Sequence, residues 1–178
     1  MRWMWIDNII EYVDGQSMTA IKNVSLAEEY LHDHFPSDGE LPAVPVMPAS
    51  LVIEGMAQTA GILVGAQSGF REKVVLAKVV KAQLHEDATH GETIRYTADI
   101  ARLSPTGAAT RGVVDRLGHA GPHAGKWINI GQIDLMFSHI DNNMSGLRFP
   151  EENFVFSDNF RTLLEGAGLA SLAPAAYS

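Results

Sequence analysis

The chain has 178 residues, a length typical of one domain with a short extension. Its residues are 46% hydrophobic and 19% charged, which is the composition of a folded globular protein and not of a disordered one. The 21 acidic and 13 basic residues give a formal net charge of -8, which argues against sequence-independent binding to nucleic acid. The chain has no cysteine, so disulfides, zinc–thiolate sites and thiol nucleophiles are excluded.

The N-terminal residues lack the apolar core of a signal peptide, and we expect the protein to be cytoplasmic. Only residues 51–66 are apolar enough to raise the question of a membrane span. Glu54 and Gln58 interrupt this segment, and it is shorter than the about 18 uninterrupted apolar residues that a span needs. We therefore expect a buried helix and no membrane insertion.

The first part of the chain predicts a hairpin followed by a loop. Residues 5–13 and 17–24 have the pattern of strands, and the Asp-Gly pair between them is a strong hairpin signal. Residues 25–33 predict a short helical turn, and residues 37–45, which contain one glycine and two prolines, predict a loop.

One long helix is predicted from Pro48 to Gln67. Pro48 suits the first helical position because its missing N–H is not needed there. Apolar residues surround most of the helix, which is typical of a helix that is buried on most sides. The polar exceptions and two glycines lie on one face, at Glu54, Gln58, Gly61 and Gly65.

Four strand-like runs follow, over residues 74–84, 92–103, 106–117 and 126–138. In the last run the apolar alternation slips, and a bulge near Gly131 would account for the slip. One buried helix and about six mostly antiparallel strands indicate an α+β fold. Because the helix is apolar on nearly every side, we expect the sheet to curve around it.

Residues 140–178 are predicted to be a C-terminal extension of a domain that covers residues 1–139. A short helix is predicted over residues 158–165, with Ser157 as its N-cap and Gly166 just past its end. We expect the extension to pack on its own domain, because it carries apolar residues that need burial: Phe154, Phe156, Phe160, Leu163 and Leu164.

A histidine-bearing segment directly precedes the long helix, and the helix carries a carboxylate. These are the residue types of an acid–base pair, here His34 and Glu54. Burying a lone carboxylate is costly, so an ion pair with an arginine or lysine is the alternative explanation of Glu54. A core or surface histidine is the alternative explanation of His34. The pairs His32-x-His34 and His119-x3-His123 have spacings compatible with a metal, but each lacks a third ligand, and we expect no metal site.

Three motifs resemble the 3-hydroxyacyl-(acyl-carrier-protein) dehydratases of the FabZ type. The family pattern is His-Phe-Pro-Gly-x-Pro-Val-Met-Pro-Gly, followed by Glu-Ala-Met-Ala-Gln. The matching segments are His34-Phe35-Pro36, Pro45-Val46-Met47-Pro48 and Glu54-x-Met56-Ala57-Gln58. The similarity covers residues 5–138, and it implies a hot-dog fold, in which an antiparallel sheet wraps around a long helix.

The resemblance implies a hydro-lyase that converts (3R)-3-hydroxyacyl thioesters on acyl carrier protein into trans-2-enoyl thioesters, in fatty-acid or related acyl-chain synthesis. It makes His34 the base that takes the α-proton and Glu54 the acid that protonates the leaving hydroxyl. It places the backbone N–H of Ala49 at the thioester carbonyl, and it implies no cofactor and a homodimer, or an oligomer of dimers, with shared active sites. The residues expected to bind substrate are Phe35, Pro48, Ala49 and Gln58.

Two departures from the family pattern lie beside this site. Eight residues separate Pro36 from Pro45 where the family has two, and Ala49 replaces a glycine. They leave two alternatives open: a hot-dog thioesterase or hydratase acting on coenzyme A thioesters, and a non-catalytic acyl-binding or scaffold subunit. If an acidic carrier protein is the partner, a local basic patch is required, and the expected patch is Arg71, Lys73, Lys78 and Lys81.

Overall fold

In the computed structural model of the protein, the described residues are 4–140, 155–156 and 158–172. The helices are α1 (Ala49–Ala66) and α2 (Asp158–Gly166). Short 3-10 turns lie at Glu29–Leu31, Gly121–His123 and Ala170–Leu172. The strands are β1 (Asn8–Val13), β2 (Ser17–Asn23), β3 (Lys73–Leu84), β4 (Glu92–Ser104), β5 (Gly107–Gly118) and β6 (Trp127–Ile140).

The strands form one antiparallel sheet in the order β1-β2-β4-β5-β6-β3. α1 contacts five adjacent strands of this sheet, which are β2, β4, β5, β6 and β3. Five strands spaced by about 4.8 Å are wider than a helix of about 10–12 Å, so one helix can contact all five only where the sheet curves around it. The predicted α+β hot-dog arrangement, with a central helix and a curved six-stranded sheet, is confirmed.

The core lies between α1 and the concave face of the sheet. Met56, Ala60 and Leu63 of α1 are completely buried there. The inward positions of the strands supply the opposite wall, and the alternation predicted for β4 holds, with its inward side chains at Ile94, Tyr96 and Ala98.

The ends of α1 and β1 differ from the sequence prediction by a few residues. Pro48 is the N-cap and not the first helical residue, because its ψ of 136° is extended, while its carbonyl oxygen accepts the N–H of Leu51 at 2.8 Å. β1 begins three residues later than expected. The N–H of Trp5 donates instead to the side chain of Gln58, which draws this segment away from the sheet.

The bulge predicted in β6 is present. Val114 pairs with Gly131 and Asp115 pairs with Asn129, which leaves Ile130 as the extra residue and shifts the inward phase of the strand. Gly131 is required at this place because a Cβ atom would overlap the carbonyl oxygen of Gln83 on β3.

α2 belongs to the C-terminal extension and extends one residue beyond its predicted end. Gly166 is helical, and the glycine in the left-handed region is Gly168, with φ of +71°. Ser157 and Phe154 lie outside the described residues. The buried side chains of α2 join the same core as α1, at Phe160, Leu163 and Leu164. The domain boundary at residue 139 stays a prediction.

α1 is also long and apolar enough, by length and composition alone, to cross a membrane. Of its residues, 67% are buried inside the protein, so its length and composition are weak evidence for a span.

Candidate active site

The ring of His34 is fixed by the turn that precedes it. Its Nδ1 lies 2.7 Å from the carbonyl oxygen of Leu31, the last residue of the 3-10 turn. Because a carbonyl oxygen only accepts hydrogen bonds, Nδ1 carries the proton and donates it. In the neutral ring Nε2 therefore holds the free lone pair, and His34 can act as a base through Nε2.

Lys22 anchors the turn that carries His34. Its Nζ donates to Oε1 of Glu28 at 2.6 Å and to Oδ1 of Asp7 at 3.1 Å, and its side chain is nearly buried. Burial lowers the pKa of Lys22, but the hydrogen bonds with Glu28 and Asp7 outweigh it and hold the pKa above its ordinary value. Glu28 begins the turn at Glu29–Leu31, so the ion pairs link β2 to the backbone group that orients His34.

The inserted loop beyond His34 contains a turn held by Asp38. The backbone N–H groups of Glu40 and Leu41 donate to Asp38 Oδ1 at 3.0 and 2.8 Å. The hydrogen bonds from Leu41 and Glu40 lower the pKa of this exposed carboxyl. Phe35 is 90% exposed at the start of the loop, and its assignment to the substrate site stays a prediction.

A short extended segment brings the chain back to the start of α1. The N–H of Met47 donates to the carbonyl oxygen of Ala88 at 2.8 Å, and Met47 is buried. This anchors Pro48 and places Ala49 as the first residue of α1, on the surface. The N–H groups of Ala49 and Ser50 precede any intrahelical acceptor, and the positive end of the helix dipole adds to them. N–H groups of this kind can donate to a carbonyl oxygen.

Glu54 lies one turn further along α1 and is half-buried. Its Oε1 accepts a hydrogen bond from Nε2 of Gln58 at 3.0 Å. The oxygen of the same amide accepts the N–H of Trp5 at 2.8 Å, which fixes the orientation of the amide. The predicted alternative for Glu54, an ion pair with arginine or lysine, is not found among the described residues.

Gly55, the residue after Glu54, packs directly against a side chain of β4. A Cβ atom on Gly55 would lie 2.5 Å from Cζ of Tyr96, whose ring is completely buried. The family pattern has alanine here. The close approach of the Tyr96 ring explains why this chain has glycine.

The face of α1 that carries Glu54 opens onto an apolar cavity of about 210 Å3. β3 lines it with residues 74–76, and β6 lines it with Phe137. From α1 it takes Glu54, Ala57, Gln58 and Gly61, and from the C-terminal extension it takes Val155, Phe156 and Phe160. Among the described residues that line it, Glu54 is the only one with a formal charge.

Within the described part of the single chain, some of the predicted site residues lie close together, and others are not hydrogen-bonded to each other. Glu54 and Gln58 are hydrogen-bonded, and Pro48 and Ala49 precede them on the same helix. No hydrogen bond joins His34 to Glu54 within the described part of the single chain.

The role of Lys22 in supporting His34 was not predicted from the sequence. A signal was available, because Lys22 continues the inward positions of Met18 and Ala20 on β2, and an inward lysine needs acidic partners.

The proposed basic patch is corrected at Lys73, which is 6% exposed and so does not present its charge to a partner. Arg71 and Lys78 are exposed. Of the histidines with metal-compatible spacing, His119 instead lies 2.8 Å from the hydroxyl of Thr93 through its Nε2. In the described part of the chain, no three histidine, aspartate or glutamate side chains form a group that could hold a metal ion.

Comparison with solved structures supports the fold. The dehydratase heterocomplex ApeI:P from Xenorhabdus doucetiae aligns with a TM-score of 0.56 at 16% identity, over 79% of this chain and 85% of that one. A hexameric broad-specificity acyl-coenzyme A thioesterase aligns with a TM-score of 0.54 at 15% identity, over 85% of this chain and 94% of that one. At such identities the likeness shows the shared fold alone.

Comparison of sequences shows the family. The 3-hydroxyacyl-(acyl-carrier-protein) dehydratase FabZ of Desulforamulus reducens is 30% identical over 105 residues, covering 58% of this chain and 70% of that protein. The protein of the same name from the Wolbachia of Brugia malayi is 34% identical over 108 residues, covering 57% and 70%. These matches confirm the resemblance and the predicted enzyme class, a hydro-lyase. Residues 2–117 match the family described as FabA-like domain, and the chain belongs to that family.

Proposed function

We propose that the protein dehydrates (3R)-3-hydroxyacyl thioesters carried by acyl carrier protein, with His34 as base and Glu54 as acid. The observation that carries the proposal is the hydrogen bond from His34 Nδ1–H to the Leu31 carbonyl, since it leaves Nε2 as a free base. The relatives are named as enzymes of this reaction, and the proposal extends their substrate class to this chain.

In the proposed reaction, His34 Nε2 removes the α-proton of the thioester. The electron pair of that C–H bond forms the new double bond, and the bond between the β-carbon and the hydroxyl oxygen breaks. Glu54 gives its proton to the departing hydroxyl, which leaves as water. A proton then passes through solvent from His34 to Glu54, which restores both groups.

Both reacting groups of the substrate, the thioester carbonyl and the leaving hydroxyl, would contact groups of α1. The N–H of Ala49 would donate to the thioester carbonyl oxygen as negative charge builds on it, a role in which one preorganised donor is worth about 10²–10³ in rate. Because Oε1 of Glu54 accepts from Gln58, the acid proton would sit on Oε2, toward the leaving hydroxyl.

We propose a homodimer with shared sites, in which His34 of one subunit works with Glu54 of the other. β3 supports this, because it is a 12-residue edge strand with exposed Leu76, Val79 and Val80. A long edge strand with free backbone groups along its outer side favours pairing with another strand, here β3 of a second copy. The cytoplasm is the location that we propose.

The test uses the purified full chain with 3-hydroxybutanoyl thioesters of acyl carrier protein, pantetheine and coenzyme A. Absorbance reports the enoyl thioester, and a thiol reagent reports hydrolysis. We expect enoyl product without thiol release, with His34→Ala and Glu54→Gln each lowering kcat by about 10²–10⁴-fold. His32→Ala, at an exposed position two residues from His34, is the matched control and retains activity. Thiol release that does not depend on His34 would identify a thioesterase, and binding without turnover would identify an acyl-binding subunit.

A further inference from the structure

We propose that the C-terminal extension closes the far end of the acyl pocket through Phe156 and Phe160, and so restricts the enzyme to short acyl chains. This proposal rests on the function proposed above. Its experiment distinguishes a failure of the proposed cap from a failure of the proposed function. The extension lies beyond residues 2–117, the part of the chain that matches the family.

The cavity has the polarity that an acyl thioester needs. Its one formal charge among the described lining residues is Glu54, at the reacting end, and the walls beyond Glu54 and Gln58 are apolar. An occupant with a polar reacting end and an apolar tail fits this arrangement. The volume of about 210 Å3 is below the about 300–1,000 Å3 of pockets for drug-sized ligands, which favours a short tail.

The direction of the tail follows from the face of α1. Gly61 lies on the same face of α1 as Glu54 and Gln58. It leaves room beside Phe137, since a Cβ atom on Gly61 would be 3.6 Å from Cε1 of that ring. Gly65 comes one turn later, and there the space ends, because Cζ of Phe156 is 2.5 Å from the position of a Cβ atom. The lining from α1 ends at Gly61, so at about 1.5 Å per residue the space for a tail that starts at Glu54 is about 10 Å long.

The closing rings are firmly held. Phe156 packs edge-on against Phe70 at a centroid distance of 4.6 Å and against Phe160 at 5.2 Å. Phe70 and Phe160 are both nearly inaccessible to solvent. α2 also contacts β1, at the edge of the sheet opposite β3, so the described part of the extension is held both at the cavity and at the sheet. A fixed cap of this kind sets a length limit.

The test compares kcat/KM for 3-hydroxyhexadecanoyl and 3-hydroxybutanoyl pantetheine thioesters in full-length variants. Phe156→Ala removes the half-buried ring at the end of the pocket, and we expect the long-to-short ratio to rise at least about tenfold. Gly61→Ala adds a methyl group inside the pocket, and we expect the ratio to fall. Leu163→Ala is the matched control, because Leu163 is buried on α2 but does not line the cavity. It lowers the melting temperature and leaves the ratio unchanged.

A ratio for Phe156→Ala equal to that of the wild type, or an equal rise in Leu163→Ala, overturns the proposal. A wild type that already turns over the long thioester as well as the short one does the same. If the wild type has no dehydratase activity, the proposed function fails, and the cap is tested by binding. The dissociation constants of hexadecanoyl and butanoyl pantetheine then replace kcat/KM, with the same expected change and the same overturning result.

Discussion

Gln58 donates a hydrogen bond from its Nε2 to Oε1 of Glu54, four residues earlier on α1, at 3.0 Å. The same amide accepts the backbone N–H of Trp5, 53 residues away in sequence, so the N-terminal segment decides which way the amide points. Gln58 was predicted to bind substrate, which stays a prediction. The bonds found here support a different role, the positioning of Glu54.

We predict that Gln58→Leu lowers kcat by about 10–100-fold with little change in KM, because the carboxyl loses the donor that sets its orientation. It also leaves the Trp5 N–H without its acceptor, which costs about 1–3 kcal/mol of unfolding free energy. Steady-state kinetics and urea unfolding measure both effects. Gln67→Leu, which removes another amide from the end of α1, is the control and retains kcat. Unchanged kcat in a folded Gln58→Leu protein would remove the positioning role.

Mixing subunits tests the sharing of the active site. A mixture of His34→Ala and Glu54→Gln chains forms heterodimers in which one site keeps both groups, and we predict that activity reappears on subunit exchange. Turnover is measured against each variant alone, and exchange is followed independently with labelled chains. Complete exchange without recovered activity would mean that both groups act within one subunit.

Ala49→Pro tests the backbone donor at the start of α1. Proline is accepted at the first helical position, and the residue before it must be extended, as Pro48 already is with ψ of 136°. We therefore predict a folded protein with kcat lowered by about 10²–10³-fold, since the substitution removes the N–H. Ala49→Gly keeps the donor and should leave kcat unchanged or higher. Full activity in a stably folded Ala49→Pro enzyme would place carbonyl polarisation elsewhere.

Lys22→Met should destabilise the protein by about 1.5–3 kcal/mol at neutral pH, because two carboxylates lose a charged donor. Since the folded-state pKa of Lys22 is raised above 10.5, its contribution is complete below that pH and is lost as the pH rises through the folded-state value. Urea unfolding of wild type and variant between pH 7 and pH 11 measures the difference, which should be constant at first and then shrink. Lys81→Met, at an exposed lysine bonded to Gln132, is the control. A difference that grew with pH would contradict this assignment.

Gly55 and Tyr96 are in close contact, so the size of one side chain limits the size of the other. We predict that Gly55→Ala destabilises the protein by about 1–3 kcal/mol through overpacking, and that adding Tyr96→Leu recovers part of this loss. Tyr96→Phe should be neutral or stabilising, because within the described residues the buried hydroxyl has no hydrogen-bond partner. Thermal unfolding of the wild type, Gly55→Ala, Tyr96→Leu and the double variant gives the coupling energy. Strictly additive effects would argue against the contact.

Much of the fold could be predicted because its signals are local. The alternation along β4, the apolar circumference of α1 and the phase slip at Gly131 each report burial from neighbouring residues alone, and the structure agrees with all three. The errors lie at the ends of elements. There, long-range bonds such as the one from Trp5 to Gln58 decide where a strand begins.

The family, the fold class and the two residues that could carry acid–base chemistry were predictable from the sequence alone, because motif order and apolar periodicity are properties of the linear chain. The folded structure was needed to show which nitrogen of His34 is free, which way the Gln58 amide points and which side chain packs over Gly65. Each depends on a group brought close by folding: a carbonyl at the end of a turn, an N–H from the N-terminal segment, and a phenyl ring from the C-terminal extension. Hydrogen bonds and packing act over a few ångströms in space, whatever the distance along the chain.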